Sequence, residues 1–277
     1  MAKNIDNDVV EDFGSEWSKF KQDERIKDEL LDIFENQYFK IFPWDMISHT
    51  SVGVDIGCGS GRWGKIMSKR VGFLHLVDAS QDALEVSRKN LIGINNVSYY
   101  IASVDSLPFD DNSLDFAYSL GVLHHVPDTS SAIKSIATKL KKGAPLLLYL
   151  YYAFDNRPFW YRAIWRVSDL MRLFISPLPS KIKMPLCDLI AATVYWPLAR
   201  LSFVLDKINV ATRLIPLSSY RNLSFYTMRT DSLDRFGTRL EQRFKKAQIQ
   251  RMLVDHGFSN IKFSETMPYW VVIGYKK

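Results

Sequence analysis

A chain of 277 residues, 47% hydrophobic and 24% charged, has an ordinary globular composition and the length for one large domain or a domain with a sizeable insertion. Its two cysteines, Cys58 and Cys187, exclude a disulfide framework and a cysteine-based zinc site, and they fit a reducing cytoplasm. The net charge of +6 is concentrated, since residues 156–221 hold ten Lys/Arg against three Asp and leave the rest about neutral.

The chain begins MAKNIDNDVVEDFGSEW, with acids where a secretory leader needs an apolar core. The best apolar run, 189–199, is bounded by Asp188 and Arg200 and falls short of the ~18 residues a membrane span requires. The expected location is cytoplasmic, with at most peripheral membrane association. Residues 1–51 read as a loop and a helix leading into the core. Within them FGSEWSKF is either a lid over a bound ligand, using Phe13 or Trp17, or a plain staple to the core.

From residue 52 to 152 strand and helix signals alternate, which predicts a parallel sheet covered on both faces. VGVDIG, FLHLVD, NVSYYIA, LDFAYSL and APLLLYLYY are the five expected strands; Ser80 caps the helix QDALEVSRKNL, and TSSAIKSIATKLKKG is a further capped helix. At the far end KKAQIQRMLVDHGF reads as a helix stopped by Gly257, followed by a closing pair of strands in NIKFSE and YWVVIGYKK. The expected architecture is α/β: a Rossmann-like, mostly parallel seven-stranded sheet with helices on both faces. Its core is 52–152 plus 241–277, with a helical extension at 1–51 and a helical insertion at 153–240. That insertion is aromatic and basic, and prolines at 158, 177, 179, 185, 197 and 216 divide it into short amphipathic helices.

The loop VDIGCGSGRWG admits two patterns. Gly59 to Gly64 fits G-x-G-x-x-G, a weak signal for a dinucleotide, whereas Asp55 followed by Gly57, Gly59 and Gly61 fits a methyl-donor loop. Asp78, 21 positions after Gly57, suits the ribose of either ligand. Asp55 decides against the pyrophosphate, which it would repel, and for a methionine ammonium, which it would attract. Asp105 is placed to accept from an adenine amino group.

VDIGCGSGRWG, LVDAS, ASVDSLPFDDNSLDFAYSLGVLHHVPD and the Lys-Lys-Gly before strand five resemble the class I S-adenosylmethionine-dependent methyltransferases of the broad type-11 family. The resemblance covers about 52–152 and, more loosely, the last thirty-odd residues. It implies S-adenosylmethionine as donor, S-adenosylhomocysteine as product, and no metal. It also implies that Gly57, Gly59 and Gly61 pass close to the methionine part. Asp55 would contact its ammonium or tie down the loop, Asp78 the ribose hydroxyls with Ala79 near the adenine, Val104 and Asp105 the adenine edge, and Leu120 the methionyl chain. Arg62 would reach the donor carboxylate, and Trp63 would pack the helix onto the sheet.

Catalytic candidates are His124 and His125, which follow strand four, and Tyr151 or Tyr152 at the end of strand five; Tyr152 is the preferred tyrosine. Tyr152, Asn156, Arg157, Tyr220 and Arg221 are candidate acceptor contacts, with Arg229 as a further anion contact. The expected acceptor is a small or lipid-linked molecule with an anionic group, met by the insertion acting as a substrate cap. A nucleic-acid acceptor is disfavoured, because no N/D-P-P-Y element and no Pro-Cys nucleophile is present. A membrane-binding module that keeps the fold without turnover, an oligomer packed through the insertion, and the atom methylated all remain open.

Overall fold

The computed structural model describes residues 4–19, 27–212 and 214–277. Seven strands form one sheet in the order β3-β2-β1-β4-β5-β7-β6. β1 (Val52–Ile56), β2 (Phe73–Asp78), β3 (Val97–Ile101), β4 (Phe116–Leu120) and β5 (Pro145–Tyr149) are parallel. β6 (Phe258–Phe263) and β7 (Val271–Lys276) close the sheet as an antiparallel pair, with β7 antiparallel to β5. The order reverses on either side of β1, so β1 and β4 open a crevice at their carboxyl ends.

The helices, in chain order, are α1 (Asn7–Lys19), α2 (Lys27–Ile33), α3 (Arg62–Met67), α4 (Gln81–Asn90), α5 (Thr129–Lys139), α6 (Phe159–Ile175), α7 (Ser180–Ile190), α8 (Trp196–Lys207), α9 (Phe225–Gly237) and α10 (Lys246–Asp255). Ser80 caps α4 by accepting from the Ala83 amide, and Asp128 caps α5 by accepting from Ser131. The first residues, expected as a loop, form α1 instead. α1 packs on α4, and Gly14 permits the approach, since a Cβ there would lie 2.7 Å from Ser80 Oγ.

Alternation along the strands sorts two apolar layers. Val54, Ile56, Ala117, Leu146 and Leu148 face α5 and α10, meeting Ile133, Ile136, Ile249 and Leu253. On the opposite face Phe116 and Tyr118 meet an aromatic cluster from the segment before β1, in which Phe39 lies edge-on to Tyr118 at 5.2 Å and Phe42 to Phe116 at 5.9 Å.

The chain divides into two compact units, residues 1–155 with 240–277, and residues 156–239. Within the second unit α6 and α7 pack on α9. α7, a π-turn (Ala191–Tyr195) and α8 join into one continuous helix over Ser180–Lys207. Pro185 and Pro197 therefore lie inside a helix rather than ending one; Pro197 directly follows the π-turn, whose wider hydrogen bonding absorbs the missing donor. That 28-residue helix is long and apolar enough, by length and composition, to cross a membrane, although the sequence reading stopped at Asp188 and Arg200. Asp188 is held by Arg229 through two bonds of 2.7 and 2.9 Å within the unit.

Two predictions follow from the layer that carries Phe116 and Tyr118. A Cβ at Gly53 would fall 2.1–2.4 Å from the Phe116 ring. Gly53→Ala should lower the unfolding free energy by about 1–3 kcal/mol in urea titrations, and by less than half as much in a Phe116→Leu background.

Asp55, only 2% exposed, is the partner of Tyr118 across β1 and β4 and accepts its hydroxyl at 2.8 Å. Burial pushes its carboxyl up to about 7, from an ordinary 3.8, against the lowering pull of the Tyr118 bond. The folded state thus prefers the proton. The stabilisation from the protonated acid is complete below about 4 and is lost as pH rises through about 7. Unfolding free energies of the wild type minus those of Asp55→Asn should therefore fall across that window; a flat difference would contradict the burial argument.

Candidate active site

The loop leaving β1 is held by the end of β2. The amides of Gly57 and Cys58 both donate to the Val77 carbonyl, at 2.8 and 3.0 Å. Asp78 completes the arrangement, its Oδ2 accepting from the Gly59 amide and its Oδ1 from the Ser80 amide, each at 2.9 Å. Gly57, Gly59 and Gly61 all have positive φ. At Gly57 (φ +73°) a Cβ would also meet Val122 at 2.5 Å, so the loops after β1 and β4 touch only because that position is bare. Asn90 Nδ2 donates to the Ser60 carbonyl at 2.9 Å and pins the far side of the loop.

This cradle fits the methyl donor implied by the resemblance. Each Asp78 oxygen has spent one lone pair on the backbone and keeps another for a ribose hydroxyl. Burial raises the Asp78 carboxyl, and its bonds to the Ser80 and Gly59 amides lower it. Val104 and Leu120 are buried, and Ala79 is half-buried. Asp55 is turned into the Tyr118 layer, its Oδ2 accepting from the Tyr118 hydroxyl at 2.8 Å. Arg62 lies over the Trp63 ring at 4.7 Å, and Trp63 packs against Phe34 and Tyr38.

A strap from the N-terminus crosses the same edge. The Asn4 amide donates to Asp105 Oδ2 at 3.1 Å, and its side chain exchanges bonds of 2.7 and 2.8 Å with the backbone of Asp128. Asp105 is also bonded to the Ser103 hydroxyl. Further along, Phe13 reaches the His125 ring at 5.1 Å. The side chain of Trp17 lies outside the described residues.

Beyond the donor cradle, the ends of β4 and β5 meet residues 240–244. His124 stacks on Tyr151 at 3.7 Å and is tilted against His125 at 4.1 Å. His125 Nδ1 lies 2.6 Å from the Leu240 carbonyl. Neither ring nitrogen of His124 has a hydrogen-bond partner among the described residues. Burial holds His124 well below the usual histidine range, helped by His125 and Arg243, so the ring is neutral. The Arg243 guanidinium lies over Tyr151 at 4.9 Å and pairs with Glu241 at 2.7 Å. Sequence reasoning missed Glu241 and Arg243. Their trace, the charges of LEQRFKK ahead of the last helix, points to His124 only once the chain has folded back over more than a hundred positions.

Tyr152 does not join the histidines: Tyr149 and Tyr151 project to their side of the extended chain, and Tyr152 to the other, against Phe154, Tyr269 and Trp270. Asp155 accepts from the Lys246 amide and the Trp270 indole, a structural use. Within the second unit, Asn156 is exposed and Arg157 lies over Tyr161. Tyr220 donates to Asp231 at 2.7 Å, and Arg221 pairs with Asp206 at 3.3 Å.

The pattern of a methyltransferase-domain family matches residues 54–148. The demethylmenaquinone methyltransferase of Staphylococcus epidermidis is 31% identical over 124 residues, 42% of this chain and 52% of that protein. That of Staphylococcus aureus MRSA252 is 36% identical over 93 residues, 32% of this chain and 39% of that protein. The chain thus spans about half or less of the length of these relatives. Two solved structures share the fold. The protein bound to the Trm112 methyltransferase activator of Haloferax volcanii has a TM-score of 0.57 at 13% identity, covering 95% of this chain and 96% of that one. A SAM-dependent methyltransferase from Aquifex aeolicus has a TM-score of 0.50 at 12% identity with the same coverage. Residues 54–148 thus match the methyltransferase-domain family, and the sheet around them has the fold of the two methyltransferase structures.

Proposed function

We propose that the protein transfers the methyl group of S-adenosylmethionine to a small, ring-bearing or lipid-linked acceptor. The observation that carries this reading is the Asp78 carboxylate, fixed at the end of β2 by the Gly59 amide of a glycine loop, with lone pairs left for two ribose hydroxyls.

A bound donor supplies a carbon already activated by its sulfonium. The chain's own residues then have to align and enclose the reactants. Asp78 would hold the ribose, the backbone of Gly57 to Gly61 the methionine part, and Asp105 with Val104 the adenine. Leu120, buried at the end of β4, would border the methionyl chain. Asp55 ties β1 to β4 through Tyr118 beneath the loop. Where the acceptor arrives as a hydroxyl, the neutral His124 ring accepts its proton on Nδ1 or Nε2, and Tyr151 with Arg243 backs that ring. Tyr151 thereby takes the place assigned to Tyr152.

The acceptor class rests on two supports. The relatives named above are demethylmenaquinone methyltransferases, which favours a quinone-type ring. The mouth beyond the cradle is aromatic, with Tyr149, Tyr151 and Phe13 around the histidines. An anionic acceptor group has less support, because Arg221 and Arg229 are each paired with an aspartate.

Incubating the purified protein with methyl-labelled S-adenosylmethionine and a cell extract, then partitioning into organic solvent, tests this. Label in the organic phase is expected; label confined to polar small molecules would overturn the acceptor class. Asp78→Ala should weaken donor binding about a hundredfold by calorimetry, since hydrogen bonds to a charged group are worth about 1.5–3 kcal/mol each. Unchanged affinity would sink the donor assignment. His124→Ala should leave donor binding intact and lower kcat by roughly 10²–10⁴, with the acid limb of the wild-type profile below pH 6.5.

A further inference from the structure

The second unit is built inside out along α6. Successive helical residues turn by about 100°. Phe159, Ile164, Val167, Leu170, Met171 and Phe174, with Trp160, therefore share one arc of roughly 140°. All seven are exposed, Phe159 at 76% and Phe174 at 77%. The opposite side of the helix carries Tyr161, Trp165, Asp169 and Arg172, all half-buried or buried. Arg172 is only 5% exposed, pairs with Asp169 at 2.8 Å and donates to the carbonyls of Thr238 and Arg239. Lys183 is buried likewise and donates to the carbonyls of Ser176 and Gly237. Two of the unit's cations, Arg172 and Lys183, are spent inside at the end of α9, while seven large apolar side chains of α6 face out.

Soluble surfaces do not present such an arc without a partner. Charge identifies the partner. Residues 156–239 carry thirteen Lys/Arg against five Asp, a net +8. Arg162 and Arg166 border the arc, are exposed, and make no ion pair among the described residues. A second copy would bring the same sign of charge, whereas an anionic bilayer brings the opposite one. We propose that α6 is an interfacial helix that lays Phe159 to Phe174 into the headgroup and acyl boundary of an anionic membrane, with Arg162 and Arg166 on the lipid phosphates. The continuous helix 180–207 exposes further apolar side chains, among them Ile182, Leu189, Trp196 and Val204. This inference does not depend on methyl transfer.

The test is sedimentation of the full chain with phosphatidylcholine vesicles, with and without phosphatidylglycerol. Binding should require phosphatidylglycerol and fall when salt is raised from about 0.1 M to about 1 M, where the screening length drops from about 10 to about 3 Å. Val167→Glu with Phe174→Glu should abolish binding, and Arg162→Gln or Arg166→Gln should each weaken it about 5-fold. These side chains are exposed, so unchanged circular dichroism and donor affinity are expected for all the variants. Binding that is equal without phosphatidylglycerol, or that survives the double glutamate change, overturns the proposal. So does a salt-insensitive dimer by sedimentation equilibrium that the double change dissociates.

Discussion

The carboxylate of Asp78 bonds to two backbone amides, and the ligand-binding edge of the sheet is organised around those bonds. Gly59 belongs to the loop leaving β1 and Ser80 to the turn entering α4, so one side chain sets the distance between neighbouring strand ends. The loop can accept this only with glycine at its positive-φ positions, and Val122 occupies the volume that a Cβ at Gly57 would need. The loops after β1, β2 and β4 are therefore mutually fixed before any ligand arrives. Such preorganisation suits a displacement in which alignment and exclusion of water are most of the enzyme's task.

Two acids near this loop have different uses, decided by their surroundings. Asp78 sits at a strand end, half-buried, with lone pairs to spare. Asp55, within β1, points into an aromatic layer beneath Tyr118 and is pushed towards the neutral form. The same logic divides the histidines. His125 is engaged with the Leu240 carbonyl, while His124 is neutral, stacked on Tyr151, and keeps both nitrogens clear of hydrogen bonds among the described residues. An uncharged, unsatisfied ring beside a cation is a costly arrangement for stability alone. It is a useful one for receiving a proton.

The second unit spends charge differently. Arg172 and Lys183 neutralise the carbonyls at the carboxyl end of α9, where a helix carries partial negative charge, and Arg229 holds Asp188. These pairings satisfy cations inside the unit beside Ile190, Met228, Leu233 and Phe236, while the apolar arc of α6 stays outward.

Much of the core was legible in the chain itself. Strand and helix alternation, glycine spacing and the acid closing β2 are local signals, because each follows from backbone periodicity or from a conformation that one residue type allows. They determined the sheet, the glycine loop and the resemblance of residues 54–148 to the methyltransferase-domain family. What lay beyond them depends on residues far apart in sequence. The pairing of Asp55 with Tyr118 spans β1 and β4 and follows from strand register; Arg243 reaches Tyr151 only after the chain returns past α9; Tyr151 rather than Tyr152 meets His124 because alternate residues of an extended chain face opposite ways. Pro185 and Pro197 read as helix breaks, yet Pro185 lies inside α7 and a π-turn joins α7 to the start of α8 ahead of Pro197. Composition by itself determined that residues 156–221 are basic and aromatic; only tertiary packing decided that the charges of Arg172 and Lys183 go in and the aromatic rings of α6 stay out, since burial of a cation requires carbonyls that the fold alone brings to it.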